Sequence, residues 1–243
     1  MDALVVGAGE MGRWFGEVID ADVAFTDRDP EAAADAAAAA SGDARAVDLS
    51  AGAEVDVVCV AVPLPVAVDA VERHAPKATR AVVDVTGAMV DPLDAMARVA
   101  PDAERMSLHP LFSASAAPGN VAVSTAADGP VTEGVRASLT DAGNTLVDVS
   151  AAEHDEAMTT VQGRAHAAVL AFALAADDVP DGLETPVYEA LTDLAERVTG
   201  NTPRVYADIQ ETFGGAGDVA AAAELLAEAD GETFAALYED AGE

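Results

Sequence analysis

The first 150 residues alternate between short apolar runs and stretches with helical periodicity. Apolar runs at Ala3 to Val6, Val23 to Thr26 and Asp56 to Val62 predict buried strands. The alanine-rich stretch that starts at Glu31 predicts a helix through its high helix propensity. Further strands are predicted at 81–85, 106–110, 121–125 and 145–149, and further helices at 10–19, 66–74, 92–99 and 131–141. Strands that alternate with helices predict an α/β fold with a mostly parallel, doubly wound sheet.

The pattern changes at Ser150, after which the sequence predicts helices only. They are expected at about 151–177, 184–199, 203–213 and 217–241, the last broken near Gly231. We therefore predict two domains, 1–150 and 151–243. The stretch from Ala165 to Ala176 is too apolar for an exposed helix face, so the helical domain is expected to form a homodimer interface. Packing of this stretch against the first domain alone is the alternative.

A glycine-rich turn follows the first strand and opens the first helix. Gly7, Gly9 and Gly12 form G-x-G-x-x-G in the strand–turn–helix context that dinucleotide binding requires. The glycines allow a tight turn, close approach of a pyrophosphate and close packing of the helix, whose N–H groups then point at the phosphates. The first domain is thus expected to be a dinucleotide-binding domain of the Rossmann type.

The second strand ends in an acidic residue, Asp27, at the position where a carboxylate accepts hydrogen bonds from an adenosine ribose. A carboxylate there would repel a 2′-phosphate, so NAD is the expected cofactor. Arg28 lies beside it and can pair with that phosphate, so NADP stays possible. The predicted cofactor contacts are Gly7, Ala8, Gly9, Glu10, Met11, Gly12, Asp27, Arg28, Val62 and Pro63.

The charge balance narrows the range of partners. The chain has 44 acidic and 12 basic residues, a net charge of −32, which disfavours nucleic acid and anionic membranes as partners. Its 51% hydrophobic content argues against disorder, so the acidic excess is interpreted as surface adaptation to a salty cytoplasm. We find no secretory leader pattern and no apolar run approaching about 18 residues, so a cytoplasmic location is expected.

Three of the four histidines lie where chemistry is expected. His109 ends a strand at the carboxyl edge of the predicted sheet, where open α/β sheets bind ligands. His154 lies near the start of the first long helix, and His166 follows twelve residues later. With Gln162 and Arg164 from the same helix, these two histidines are predicted to border one substrate cleft. A purely structural role for His154 is an equal alternative.

Other chemistries lack the residues that they need. His74 is expected on a solvated helix end without a role, and Cys59 in the interior of a strand. No pair of cysteine or histidine residues has the spacing of zinc ligands, so no metal site is predicted. No nucleophile-elbow motif supports Ser-His-Asp catalysis.

Several short motifs together resemble one enzyme family. They include Val-Val-Gly-Ala-Gly-Glu-Met-Gly-Arg at 5–13, Val-Ala-Val-Pro at 60–63, Asp-Val-Thr-Gly at 84–87 and, most specifically, Leu-His-Pro-Leu-Phe at 108–112. Glu-His-Asp at 153–155 follows, then Val-Gln at 161–162 ahead of a histidine, Thr-Pro-Val-Tyr at 185–188 and Val-Tyr-Ala-Asp-Ile at 205–209. Over nearly its whole length the chain resembles the prephenate dehydrogenase family of tyrosine biosynthesis.

The resemblance implies an NAD-dependent enzyme with a nucleotide domain, a helical dimerisation domain and His109 as the catalytic base. In such enzymes a hydride passes from C4 of the cyclohexadienol to NAD⁺ while the histidine accepts the hydroxyl proton. The ring carboxylate leaves as CO₂ and the ring becomes aromatic, which gives 4-hydroxyphenylpyruvate. Neutral imidazole suits this task because its pKa lies near working pH.

The chain departs from the family pattern in two places. It reads Gly87-Ala88-Met89 where many members read Ser-Val-Lys, so Thr86 is expected to replace the serine near the nicotinamide. Ala165 stands where many members place an arginine before the helix histidine, so Arg164 is the candidate partner of a substrate carboxylate. Arogenate or another small acid as substrate, and a catalytically silent dinucleotide-binding regulatory protein, remain as alternatives.

Overall fold

The computed structural model describes residues 1–242, which divide into two compact units, Met1–Asp155 and a second that begins at Glu156. Within the described residues, all strands lie in the first unit and form one sheet in the order β3-β2-β1-β4-β5-β6-β7-β8. The strands are β1 (Asp2–Val6), β2 (Asp22–Thr26), β3 (Arg45–Ala46), β4 (Val55–Val60), β5 (Ala78–Asp84), β6 (Glu104–Pro110), β7 (Asn120–Ala127) and β8 (Thr145–Asp148).

The sheet is parallel except at one pair of strands, β6 and β7. A parallel connection needs a crossover of a dozen or more residues, usually a helix. The segment 111–119 between β6 and β7 is shorter and contains only a single 3₁₀ turn, Ala114–Ala116. The chain therefore reverses there, and the predicted mostly parallel sheet carries one antiparallel pair.

Helices cover both faces of the sheet, as predicted for a doubly wound fold. They are α1 (Glu10–Val18), α2 (Pro30–Ala39), α3 (Ala67–His74), α4 (Val90–Val99) and α5 (Pro130–Asp141). Buried residues of α1, α2 and α5 pack with one set of strand side chains, and those of α3 and α4 pack with the alternate set. Since successive strand residues point to opposite faces, continuous apolar strands such as β4 suit a sheet buried on both sides.

The second unit contains only helices among its described residues. A helix α6 (Ala151–Met158) leads from the first unit into a π-helical turn, Thr159–Arg164, and then α7 (Ala165–Ala175). The predicted long first helix is therefore interrupted. The remaining helices are α8 (Pro186–Thr199), α9 (Pro203–Phe213), α10 (Ala216–Glu228) and α11 (Gly231–Asp240). The prediction of a Rossmann-type sheet followed by an all-helical part is confirmed.

The surroundings of His74 differ from the sequence-based expectation. The side chain ends α3 in the interior, 2% exposed, and its Nδ1 accepts a hydrogen bond from Lys77 Nζ at 3.2 Å. Burial, and then the charges of Lys77 and Arg73, lower the pKa of His74 to about 4. The prediction of a solvated helix end was wrong because His74 follows Ala67 and Val71 at helical spacing on the buried face of α3. Cys59, in contrast, is fully buried in β4 as predicted.

Helix length and hydropathy bear on membrane association. Across residues 1–242, no helix combines the length and the apolar character that a membrane crossing demands.

Candidate active site

The glycine-rich turn between β1 and α1 is tightly packed on one side and open on the other. Gly7 has a φ of +101°, and a Cβ there would overlap the carbonyl oxygen of Ala61. A Cβ on Gly12 would overlap the carbonyl oxygen of Gly7. Nothing lies within 4 Å of the Cβ position of Gly9, which is the N-cap residue of α1 and provides no side-chain cap. The first N–H groups of α1 thus border open space, which suits a pyrophosphate.

The carboxylate of Asp27 braces this turn from the end of β2. Its two oxygens accept hydrogen bonds from the backbone N–H groups of Ala8, at 2.8 Å, and Asp29, at 3.0 Å. Arg28 beside it is exposed, and Val62 and Pro63 follow β4 at the same edge of the sheet. Asp27 thus holds the turn in shape and stays partly exposed, so that it is also available to a ribose.

The acidic side chain of Glu10 ties the turn to the loop that follows β6. Its Oε1 accepts a hydrogen bond from the backbone N–H of Ala114 at 2.8 Å. In the same loop Phe112 packs edge-on against Trp14 of α1, with ring centroids 5.5 Å apart. The loop after His109 is therefore held against the glycine-rich turn and α1 by a hydrogen bond and an aromatic contact.

Three side chains, Asp155, His154 and His109, form a hydrogen-bonded series that ends at His109. Asp155 Oδ1 lies 2.8 Å from His154 Nδ1, and His154 Nε2 lies 2.9 Å from His109 Nδ1. His109 is 8% exposed and the His154 side chain 1%. The other ring nitrogen of His109, Nε2, is 3.4 Å from where a Cβ of Gly87 would lie. The Nε2 side of His109 therefore faces Gly87, which has a φ of +98°.

Burial and hydrogen bonding determine the protonation states of His109 and Asp155. Burial, and then the neighbouring His154, lower the pKa of His109 to about 3, although the charge of Asp155 opposes this shift. Burial alone would raise the pKa of Asp155, but hydrogen bonds from His154 and from the backbone of Val90 and Met89 lower it below the usual value. His109 is therefore neutral and Asp155 ionised at neutral pH. The pKa of His109 lies below the working-pH range that the sequence led us to expect, because burial disfavours the imidazolium.

Asp84, the last residue of β5, is a second buried carboxyl group in this part of the first unit. Its Oδ1 accepts hydrogen bonds from Thr86 N at 3.1 Å and Thr86 Oγ1 at 2.8 Å. Burial raises its pKa to about 7, against the hydrogen bonds from Thr86. Since Thr86 donates its hydroxyl proton to Asp84, it shapes the turn that places Gly87 beside His109.

The remaining predicted site residues belong to the second unit. Arg164 Nε donates to Asp218 Oδ2 at 2.8 Å, and its guanidinium also donates to Thr160 Oγ1. His166 packs edge-on against Tyr206, with centroids 4.9 Å apart, and burial lowers its pKa. Gln162 lies in the π-helical turn, a local geometry that is frequent at functional sites.

Comparisons with known proteins were made with the whole chain. The family described as "Prephenate dehydrogenase, nucleotide-binding domain" matches residues 17–127. A 4-amino-4-deoxyprephenate dehydrogenase of Streptomyces pristinaespiralis is 32% identical over 197 residues, which are 72% of this chain and 65% of the relative's length. Residues 17–127 are thus similar to the nucleotide-binding domain of the prephenate dehydrogenase family, and the chain spans about 65% of the length of the curated relative.

Solved structures of prephenate dehydrogenase relatives share the fold. Prephenate dehydrogenase from A. aeolicus, in complex with hydroxyphenyl propionate and NAD⁺, superposes with a TM-score of 0.67 at 17% identity, covering 98% of this chain and 95% of that one. Synechocystis arogenate dehydrogenase gives a TM-score of 0.66 at 16% identity, covering 100% and 98%. The likeness extends over both units of the chain.

Within the first unit the structure brings together His109, His154 and the Thr86 turn. Both ring nitrogens of His154 face protein partners, so it lies behind His109 and not at a surface for substrate. Gln162, Arg164 and His166 lie in the second unit. The guanidinium of Arg164, predicted to hold a substrate carboxylate, is already paired with Asp218.

Sequence reasoning missed Asp84 and Asp155. Both stand in motifs quoted for the prephenate dehydrogenase resemblance, Asp-Val-Thr-Gly and Glu-His-Asp. The signal for Asp155 was its position next to a histidine at a predicted helix start. Across residues 1–242, no three side chains among histidine, cysteine, aspartate and glutamate group so as to hold a metal ion.

Proposed function

We propose that the protein catalyses the oxidative decarboxylation of prephenate, coupled to reduction of NAD⁺. The observation that carries this proposal is the buried, neutral imidazole of His109, held at the carboxyl edge of the sheet with Nε2 facing Gly87. The match of residues 17–127 to the prephenate dehydrogenase family and the NAD⁺ in the A. aeolicus structure support the same reaction and cofactor.

The glycine-rich turn fits a dinucleotide. In this proposal the segment from Gly7 to Gly12 holds the pyrophosphate, and Asp27 accepts hydrogen bonds from the adenosine ribose. The open space at Gly9 supports this assignment. NAD is preferred over NADP because a 2′-phosphate would meet the Asp27 carboxylate; turnover that is equal or better with NADP would assign that phosphate to Arg28.

His109 is assigned the proton chemistry. When bound, NAD⁺ accepts the hydride from C4 of the ring. His109 Nε2 accepts the proton of the C4 hydroxyl, which leaves a carbonyl at C4. Loss of the ring carboxylate as CO₂ then returns an electron pair to the ring, and the imidazolium can give its proton back to the resulting phenolate oxygen. Burial of His109 keeps bulk water from competing for this proton.

A second substrate, 4-amino-4-deoxyprephenate, is favoured by charge. Among the described contacts, the ionisable groups that act on His109 are His154 and the ionised Asp155. Arg164 is paired with Asp218, so its charge is offset before any substrate arrives. Prephenate carries a neutral hydroxyl at C4, and an ammonium group in its place would be attracted to the ionised Asp155. The Streptomyces relative is named for the amino compound. Arogenate carries an ammonium group on its side chain and is the third substrate to compare.

The test is NAD⁺ reduction with prephenate, arogenate and 4-amino-4-deoxyprephenate, each at molar salt. Prephenate turnover supports the main proposal, and a higher kcat/KM with the amino compound would select the second candidate. NAD⁺ binding without turnover of any of the three would indicate a regulatory protein and overturn both.

The His109→Asn variant tests the base. General-base catalysis contributes about 10²–10⁴ in rate, so kcat should fall by about that factor. The dissociation constant for NAD⁺, measured on the same folded variant, should stay nearly unchanged. A variant that keeps most of its kcat would remove His109 from the mechanism.

We also propose that the second unit pairs with a second copy of the chain. In α7 only Ala167 is buried, and Leu174 near its end is 87% exposed. A homodimer through these helices would cover apolar surface that the single chain leaves in water.

A further inference from the structure

We infer that Asp155 and His154 are positioning residues that hold His109 in one tautomer, with the proton on Nδ1 and the lone pair on Nε2. The inference rests on the proposed function for its effect on rate. The proton positions themselves can be measured without any substrate.

The hydrogen-bonded series starts at the Asp155 carboxylate, whose two oxygens only accept hydrogen bonds. Asp155 Oδ1 accepts from His154 Nδ1 at 2.8 Å and from the backbone N–H of Met89 at 3.0 Å. Its Oδ2 accepts from the N–H of Val90 at 3.0 Å and again from Met89 at 3.3 Å. These N–H groups belong to the start of α4, where helix geometry leaves them without partners in the helix and favours a negative charge. Asp155 is thus held ionised and in one orientation.

The direction of every following hydrogen bond is then determined. Because Asp155 accepts, His154 carries its proton on Nδ1, and in the proposed arrangement its Nε2 bears the lone pair. That lone pair, 2.9 Å away, accepts from His109 Nδ1–H. Neutral His109 therefore has its lone pair on Nε2, the nitrogen that faces Gly87. The Asp155 carboxylate thus determines, through His154, which ring nitrogen of His109 is basic.

The same chain stabilises the charge that the reaction creates. When Nε2 takes the hydroxyl proton, His109 becomes an imidazolium whose Nδ1–H already points at His154. The positive charge is then shared along the hydrogen bonds toward Asp155. No proton has to leave the chain, since the proton on Nε2 returns to the product oxygen.

The Asp155→Asn variant should reverse the direction of the hydrogen bonds that run from residue 155 through His154 to His109. The amide oxygen is favoured at the Oδ2 position, where it accepts from both Val90 and Met89. At the Oδ1 position it would reach Met89 and His154 but leave the Val90 N–H facing the NH₂ group. The NH₂ group then faces His154 Nδ1 and donates to it. His154 must carry its proton on Nε2 and donate to His109, which moves the His109 proton to Nε2. The basic nitrogen is thereby blocked.

This reversal predicts an unusual order of severity. Asp155→Asn should lower kcat by about 10²–10⁴, the effect of removing the base or setting it in the wrong tautomer, while KM and NAD⁺ affinity change little. Asp155→Ala removes the carboxylate without imposing the wrong tautomer, so its loss of kcat should be smaller. A purely structural role predicts the opposite order, since asparagine keeps the shape of aspartate and alanine does not.

A matched control distinguishes the effect of changing the His109 tautomer from the effect of losing a helix cap. Glu104 Oε2 accepts from the backbone N–H groups of Val131 and Thr132, both at 2.8 Å, at the start of α5. It caps a helix as Asp155 does but contacts neither active-site histidine in the described hydrogen bonds. Glu104→Gln should therefore cost some stability and leave kcat within a small factor of the wild type.

Nitrogen-15 NMR of histidine-labelled protein without substrate provides the direct readout. We expect protonated Nδ1 and unprotonated Nε2 on both His109 and His154, and the reverse on both in Asp155→Asn. A wild-type His109 with its proton on Nε2, or an Asp155→Asn variant no slower than Asp155→Ala, would overturn the inference. If the wild type turns over no substrate, the proposed function fails, and the NMR result still decides the proton positions.

Discussion

The two units bury apolar residues to very different degrees. In β4 the side chains of Val57, Val58, Cys59 and Val60 are all 0% exposed, because helices cover both faces of the sheet. The equally apolar α7 has one buried residue. Other large apolar residues of the second unit are exposed as well, including Leu174, Leu183, Val187, Val205, Leu225 and Tyr238. A run of apolar residues becomes a core only when the same chain supplies the layer that covers it.

The same difference separates the titratable groups. In the first unit buried Asp84 and His109 have strongly shifted pKa values, the condition under which a protein sets a catalytic charge state. In the second unit the ion pair Arg164–Asp218 is about half exposed, and exposed pairs contribute little to stability. The exposed apolar residues of the second unit are the surface that we propose a second copy of the chain covers.

The largest effect is expected where the first unit is most tightly packed. In Gly12→Ala the new methyl group would overlap the Gly7 carbonyl oxygen, so we expect a loss of about 1–3 kcal/mol in the free energy of unfolding or failure to fold. Gly9→Ala, with open space at its Cβ, should unfold like the wild type but bind NAD⁺ more weakly. Urea unfolding and NAD⁺ titration in molar salt measure both. Equal stability of the two variants would show that the turn is not packed as described.

The next effect concerns the second unit, where we expect self-association. Its residues from Glu156 onward include eighteen acidic and three basic side chains, so the measurement needs high salt to screen repulsion between copies. Light scattering should give twice the 24.5 kDa of one chain. Leu174→Asp or Val187→Asp should shift the mass toward one chain, because each places a carboxylate in an apolar interface.

Val147→Asp is the matched control for the second unit. Val147 is 45% exposed but lies in β8 of the first unit, so its replacement should leave the mass unchanged. A wild-type mass near 24.5 kDa in high salt would rule out the dimer. Loss of association in Val147→Asp alone would place the interface in the first unit instead.

Local pattern was enough to predict the sheet and one end of the site. The apolar run ending at Val62 predicted β4, the three glycines predicted the turn, and the strand before Pro110 placed His109 at the carboxyl edge of the sheet. Each of these signals lies within a few residues of the feature it predicts. They follow from side-chain size and strand or helix period, which sequence displays directly.

What the pattern did not predict depends on distant contacts. Asp155 acts through the N–H groups of Met89 and Val90, 66 and 65 residues away in sequence. The burial of His74 likewise depends on what packs against α3, whereas the reversal between β6 and β7 follows from the short connection at 111–119. Helical periodicity places His154 and Asp155 on different faces, so it does not pair them. The contact between these two side chains is therefore not indicated by the helical period.

The smallest expected effect is a shift in pH dependence. Because burial and then His154 lower the pKa of His109 from 6.5 to about 3, its imidazole stays neutral as the pH falls below 6.5, and kcat/KM should not fall with an ordinary histidine limb. Burial raises the pKa of Asp84 to about 7, so any limb near that pH is assigned to Asp84. The Asp84→Asn variant should then show a flat profile through this range. His166→Gln, a half-buried histidine of the second unit, should change KM without moving the limb. A limb near 6.5 that persists in Asp84→Asn would mean that His109 titrates like a histidine in water. Burial in the first unit would then not set the pKa of its catalytic histidine.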